Sequence, residues 1–208
     1  MLSTNARGLA AALFGPVARL LVRLGVSPDL VTVTGTVLTG VAALTLLPTG
    51  HLVAGALTLG VLVVLDNLDG QMARMTGRES AWGAFLDSTM DRFADAAIFV
   101  GITVWAVRHL DGPLADVTAA LGLACLVLGG IVPYAKARAA SLGMRAEGGL
   151  AERADRLVVV LVAVLLVGLG LPPVVLTVAL GLLTAASAWT VLQRVRAAYR
   201  QSRGRGSE

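Results

Sequence analysis

From Leu157 to Leu192 the chain runs without one charged residue, interrupted only by the pair Pro172 and Pro173. A bilayer core about 30 Å thick is crossed by roughly 20 apolar residues in a helix, so this stretch is two membrane spans with the double proline as the break between them. The rest of the chain divides the same way at its Pro, Gly and charged residues, giving spans at Pro28–Pro48, Leu52–Arg74, Ala81–Val107, Leu114–Lys136, Ala151–Leu171 and Pro173–Arg194. Composition agrees: 56% of the 208 residues are AVILMFWYC, 14% are charged and the mean hydropathy is +0.81, whereas soluble domains carry about 25% charged residues. A disordered chain is excluded, an ordinary soluble enzyme is disfavoured, and the single Cys125 leaves no internal disulfide framework. The sequence predicts an all-α integral membrane protein with one domain over residues 1–208: an interfacial helix within 1–25, a bundle of six transmembrane helices over 26–200 and a polar tail at 201–208. In the leading segment, Arg7 to Leu24, Arg19 and Arg23 stand one turn apart beside Leu9, Leu13, Phe14, Val17, Leu20 and Leu21, as in an amphipathic helix lying on a membrane surface. Its Ala-rich centre, Pro16 and following arginines argue against a cleaved secretory signal.

Six spans place both termini on one side, and charge identifies that side. Of the 17 Lys and Arg, all but Arg108 fall on the side of the termini, so the positive-inside rule predicts cytoplasmic termini in a multi-pass protein of the cell membrane. This asymmetry accounts for the basic pI near 10.2 and leaves no independent sign of a nucleic-acid partner. Both histidines, His51 and His109, fall at the opposite face as ordinary interfacial residues.

Against this background the segment LDNLDGQMARMTGRESAWGAFLDSTMDRFAD, Leu65 to Asp95, places five aspartates at the ends of two successive spans. An unpaired charge in the membrane costs about 2.5 to 3.5 kcal/mol on insertion scales, so these need compensation. Asp66 and Asp69 are three apart and Asp87 and Asp91 four apart, which puts each pair on one face of its helix. A short loop makes the two helices antiparallel neighbours, so the four carboxylates are expected to converge near the cytoplasmic end. Four oxygen donors without His or Cys suit a hard divalent cation, Mg²⁺ or Mn²⁺. Gly70 and Gly83 read as clearance residues for a ligand or a neighbouring helix. The alternative, a latch onto Arg74, Arg78 and Arg92, leaves three arginines against five aspartates. Asp95, one turn beyond Asp91, reads either as a residue that supports the site from behind or as a helix-packing polar group, the second being preferred.

The order Asp66, Asp69-Gly70, Ala73-Arg74, Gly83, Asp87, Asp91, with its intervals, resembles the signature of the CDP-alcohol phosphatidyltransferase family at all eight fixed positions. The resemblance implies a Mg²⁺-dependent enzyme that moves a phosphatidyl group from CDP-diacylglycerol to an alcohol and releases CMP. It further implies that Asp66, Asp69, Asp87 and Asp91 hold metal, that Asp91 is also the general base, and that Gly70, Arg74 and Ser80 contact the nucleotide. Family members carry a Pro-Asn-x-x-Thr segment at the first span. Here it reads Pro28-Asp29-Leu30-Val31-Thr32, which marks Asp29, Leu30, Val31 and Thr32 as further CDP-diacylglycerol contacts, with Asp able to accept hydrogen bonds but not donate them. The same residues also read as a helix start, Ser27 the N-cap and Pro28 at N1.

The acceptor turns on a second basic cluster. Lys136 and Arg138 share a turn at the end of span four, Arg153 and Arg156 open span five, and Arg194 and Arg196 arrive from span six. Positive-inside flanking explains their side, yet a membrane-edge pocket for an anion would be built this way, and it favours a phosphorylated alcohol. The runs Tyr-x-Lys-Ala-Arg and Gly-Gly-x-x-Glu-Arg-x-x-Arg are similar to those of actinobacterial phosphatidylinositol phosphate synthases. That similarity implies inositol 1-phosphate as acceptor, bound by Lys136, Arg138, Arg153, Arg156 and Arg194, and a homodimer. Glycerol 3-phosphate, as in phosphatidylglycerophosphate synthases, is the alternative acceptor. A cation transporter is the rival outside the family; its ion site would lie nearer the midplane and its halves would repeat, whereas the acidic pattern occurs once.

Overall fold

Ser27 and Pro28 start the first long helix as caps should: the Ser27 hydroxyl accepts the Leu30 N–H at 3.2 Å and Pro28 sits where no intrahelical donor is needed. The computed structural model describes residues 15–146, 148–149 and 153–205 and places no strand among them. Residues 15–23 form helix α1. Then follow α2 (Pro28–Leu46), α3 (Leu52–Leu65), α4 (Leu68–Thr76), α5 (Ala81–His109), α6 (Gly112–Ser141), α7 (Arg153–Gly168) and α8 (Val174–Arg205). The first part of the expected surface helix, including Leu9, Leu13 and Phe14, lies outside the described residues.

Among the described residues four helices are long and apolar enough to cross a membrane: Pro28–Leu46, Leu52–Thr76, Gly112–Ser141 and Val174–Arg203. The other two expected spans are present as helices with a different character. α5 has 29 residues, but its first half carries Asp87, Asp91, Arg92 and Asp95, and α7 has 16 described residues. The lipid-like outer surface runs over several elements, with Val37, Val41, Leu57, Val61, Val127, Val178 and Leu182 all exposed. In water such a surface would aggregate; in a bilayer it is the solvent-matched face.

The interior joins α2, α3, α5, α7 and α8 through Ala43, Leu47, Leu59, Ile98, Phe99, Ile102, Val160, Val164, Leu176 and Leu180. Close helix approach is set by glycine at two points. A Cβ on Gly101 of α5 would fall on the Ala43 carbonyl of α2, and one on Gly168 of α7 would lie 2.8 Å from the Val53 backbone nitrogen of α3. A smaller cluster, Ala18, Leu68 and Met72 with Leu21, Val22 and Val31 against it, docks α1 onto α4 and α2.

Two features correct the sequence reading. The second span is broken at Asp66 and Asn67, where Asn67 takes φ −76° and ψ −3° and its side-chain amide donates to the Val64 carbonyl at 3.4 Å. The polar end is not a separate tail, because α8 continues to Arg205. Gln201 ties it down, accepting the Arg145 N–H at 2.8 Å and donating back to the Arg145 carbonyl at 2.5 Å.

Candidate active site

The break after α3 decides where two carboxylates go. On an unbroken helix Asp66 and Asp69 would share a face; here Asp66 turns toward α7 and Asp69 toward α2. Asp69 is 7% exposed. Its Oδ2 accepts a short hydrogen bond from the Thr32 hydroxyl and its Oδ1 accepts the Gly70 N–H at 2.5 Å. Gly77, at φ 63°, ends α4 in the left-handed conformation, and Ser80 starts α5 as its N-cap, accepting the Gly83 N–H at 3.0 Å. This tight connection sets the start of α5 across a cavity from α4, with Asp87 on the far wall; contrary to the sequence expectation the two carboxylate helices do not pack side by side, because α5 packs on α2 and α6 instead.

A polar cavity of about 220 Å³ opens between the starts of α2 and α5 and the body of α4. It is lined by Asp29, Thr32, Asp69, Gly70, Ala73, Arg74, Arg78, Ser80, Gly83 and Asp87, among others. Five of the seven residues expected to contact the nucleotide meet here. The other two, Leu30 and Val31, line an apolar cavity of about 350 Å³ with Leu21, Val26, Leu38, Leu62, Leu65 and Asp66. Thr32 borders both cavities, so a polar chamber and an apolar chamber adjoin at one side chain.

Packing does not explain the two motif glycines. A Cβ on Gly70 would touch only the end of the Arg74 side chain, at 3.4 Å, and one on Gly83 only the Ser80 hydroxyl, at 3.3 Å. Both line the polar cavity, and the room they leave opens into it. Arg78 and Glu79, which are not among the expected contacts, follow the Gly77 turn into the cavity wall. Trp82 lies outside the lining but holds one of its residues, its indole N–H donating to Asp29 Oδ2 at 3.0 Å.

The remaining carboxylates gather on an arginine far along the chain. Arg153 Nη1 lies 2.8 Å from Asp66 Oδ2 and 2.7 Å from Asp91 Oδ1, and its Nε donates to Asp95 Oδ1 at 3.0 Å. Arg156 Nη2 donates to Asp95 Oδ2 at 3.2 Å. Of the three arginines weighed for a latch, only Arg92 reaches an aspartate, Asp91, at 3.5 Å. Among the described residues no three carboxylates close tightly enough around one point to enclose an ion; a guanidinium nitrogen sits where Asp66 and Asp91 meet. The donor set still fits a hard divalent cation. It is all carboxylate oxygen, it comes from three elements, and only Arg92 and Arg153 form ion pairs with its four carboxylates among the described residues.

The other expected acceptor residues lie apart from this cluster. Lys136 and Arg138 are exposed at the end of α6, where Arg138 donates to Ser141 Oγ at 3.4 Å. Among the described residues neither forms an ion pair with an aspartate. Arg194 is buried and braces the connection before α7, donating to the Gly148 carbonyl at 3.2 Å and to the Val132 carbonyl of α6.

Comparison with known proteins places this geometry. Residues 25–147 match the family described as CDP-alcohol phosphatidyltransferase, a segment holding both carboxylate helices and the cavity between them. The phosphatidylinositol phosphate synthase of Corynebacterium glutamicum is 43% identical over 94% of this chain and 88% of its own. That of Mycolicibacterium smegmatis is 45% identical over 88% of this chain and 82% of its own. Among solved structures, Mycobacterium tuberculosis phosphatidylinositol phosphate synthase with CDP-DAG bound superposes with a TM-score of 0.83 at 39% identity, covering 88% of this chain and 92% of that one. The same enzyme with manganese and citrate gives a TM-score of 0.82 at 39% identity, over 88% of each chain. With the motif, the fold and most of the length shared, the chain belongs to the CDP-alcohol phosphatidyltransferase family.

Proposed function

We propose that this protein is a phosphatidylinositol phosphate synthase, transferring the phosphatidyl group of CDP-diacylglycerol to a hydroxyl of inositol 1-phosphate and releasing CMP. The observation that carries the proposal is the junction of the two cavities at Thr32. A lipid-linked nucleotide has a polar head and apolar tails, and adjoining polar and apolar chambers beneath one set of carboxylates suit both. The relatives at 43% and 45% identity support inositol 1-phosphate over glycerol 3-phosphate.

Arg74 and the open backbone at Gly70 face the pyrophosphate, and Asp29, held by Trp82, accepts from the cytosine amino group. Leu30 and Val31 border the acyl chains, while Ser80 shapes the cavity wall as a helix cap. Asp66, Asp69, Asp87 and Asp91 would hold Mg²⁺ or Mn²⁺. When bound, the ion neutralises the phosphates and eases departure of CMP. Asp91 accepts the proton of the acceptor hydroxyl; the oxygen forms its bond to the phosphorus carrying diacylglycerol, and the bond from that phosphorus to CMP breaks, the electron pair leaving with CMP. Arg153 and Arg156 take the acceptor phosphate, Arg153 exchanging its bonds to Asp66 and Asp91 for it, while Lys136 and Arg138 attract the anion and Arg194 holds the connection that precedes Arg153.

Six crossings of the cell membrane, by α2, the kinked α3 and α4, α5, α6, α7 and α8, accompany this function. α1 lies on the cytoplasmic surface, where Arg19 and Arg23 are exposed, and the enzyme works as a homodimer. The deciding experiment is CMP release by purified protein given CDP-diacylglycerol and Mg²⁺, with inositol 1-phosphate, glycerol 3-phosphate, free inositol or serine, each repeated with chelator. Release with inositol 1-phosphate alone, lost on chelation, is expected. Release with glycerol 3-phosphate would make it a phosphatidylglycerophosphate synthase, and silence with every acceptor would return the carboxylates to transport or structure.

A further inference from the structure

We infer that Asp95 is a positioning residue for acceptor binding, holding the Arg153 and Arg156 guanidinia in place for an incoming phosphate. Asp95 is 5% exposed and stands one helical turn beyond the last motif carboxylate. Its two oxygens divide between two arginines of the next span but one: Oδ1 accepts Arg153 Nε at 3.0 Å and Oδ2 accepts Arg156 Nη2 at 3.2 Å. Arg153 thus gives Asp95 the inner nitrogen of its fork and keeps a terminal nitrogen for Asp66 and Asp91. When those carboxylates take a cation, the bond at Nε still fixes the guanidinium at the edge of the site, with its terminal nitrogen free for an anion.

Arg156 meets Asp95 from the other side and by a terminal nitrogen, Nη2. It is 3% exposed, yet its Nε and Nη1 have no hydrogen-bond partner among the described residues. Buried donors left open are costly, so a site that keeps two is built for an acceptor that arrives. Gly129 of α6 makes room for the Arg156 guanidinium itself, since a Cβ there would stand 3.1 Å from Nη1. Asp95, Gly129 and Gly130 line one cavity of about 240 Å³ with Arg92, between α5 and α6. A polar group serving only to pack helices would not hold two arginines by separate oxygens while one of them, Arg156, keeps two buried donors open.

This inference rests on Arg153 and Arg156 binding the acceptor phosphate, and the experiment separates the two ideas. Full-length Asp95→Asn and Arg156→Gln are compared with the unaltered protein for KM of inositol 1-phosphate, KM of CDP-diacylglycerol and kcat, with calorimetric binding of inositol 1-phosphate as a second readout. Glycerol 3-phosphate takes its place if that is the acceptor turned over. Both variants are expected to raise the acceptor KM by about tenfold or more, as for a lost charged hydrogen bond, and to leave the CDP-diacylglycerol KM within about twofold. A raised acceptor KM in Arg156→Gln but not in Asp95→Asn overturns the positioning role alone. An unchanged acceptor KM in Arg156→Gln overturns the assignment of the arginines and the positioning role with it. Equal loss for both substrates in Asp95→Asn marks a packing residue and also overturns the inference. If Asp95→Asn does not fold, Asp95→Glu carries the test, since moving the same charge by one methylene should raise only the acceptor KM, and an unchanged value overturns the role.

Discussion

Asp66 and Asp69 are close in sequence and serve different neighbours, Arg153 on α7 and Thr32 on α2. The motif that contains them was legible because its residue types and intervals are local. Arg153 was legible as a cation on the right side, but its place among the aspartates was not: it lies 87 residues from Asp66, and no spacing rule links positions so far apart. Gly70 supplies a test at this scale. Alanine is the better helix former by up to about 1 kcal/mol, and its methyl would meet only the flexible end of Arg74, so Gly70→Ala should leave the thermal midpoint unchanged or slightly raised. The methyl takes space from the cavity, and overpacking of about 1 to 3 kcal/mol predicts a KM for CDP-diacylglycerol raised about fivefold or more. A lowered midpoint with unchanged KM would mean that Gly70 serves packing. For Asp91→Asn the expectation is loss of CMP release, by about a hundredfold or more, with CDP-diacylglycerol still bound in a direct binding measurement; turnover near that of the unaltered protein would remove Asp91 from the role of base.

At the scale of elements, caps and stops follow from the sequence and the kink does not. Ser27, Pro28, Ser80 and Gly77 occupy the positions that their chemistry favours, and the helices start and stop there. The turn at Asp66 and Asn67 lacks a Gly or Pro to announce it, because a side-chain amide bonding back to Val64 is available to many asparagines that sit quietly in helices. Helix pairing was equally hidden, since the contact between α2 and α5 depends on Gly101 lying over Ala43, a match between distant segments. Gly101→Ala should therefore behave opposite to Gly70→Ala. The helix propensity gain is the same, but the methyl meets backbone that cannot rotate away, and a net loss of about 1 to 3 kcal/mol is expected as a lower thermal midpoint in detergent. An unchanged midpoint would mean that α2 and α5 separate without cost and that their contact does not fix the site.

For the whole molecule, the crossing number decides whether the site faces the cytoplasm. α5 departs from an ordinary span because it concentrates its charges in the half that joins the carboxylate cluster, and the described part of α7, Arg153–Gly168, carries at its first residue the arginine bound by that cluster. Both cross if the loops alternate sides. The connections near Thr49, Asp111 and Leu171 then face outward, and those near Ser141 and Ser202 face the cytoplasm with the aspartates. Single cysteines at these positions test the pattern, because native Cys125 is buried and bonded to Thr184 at 3.2 Å, away from an impermeant reagent. A membrane-impermeant maleimide applied to intact cells should label Thr49→Cys, Asp111→Cys and Leu171→Cys and spare Ser141→Cys and Ser202→Cys. If α5 did not cross, Asp111→Cys would lie on the side of the carboxylate site and escape labelling. If α7 did not cross, Leu171→Cys would match Ser141→Cys. Either result would leave a site of aspartates without the side assigned to it by the arginines, and the positive-inside asymmetry would then reflect the anionic substrates rather than the topology.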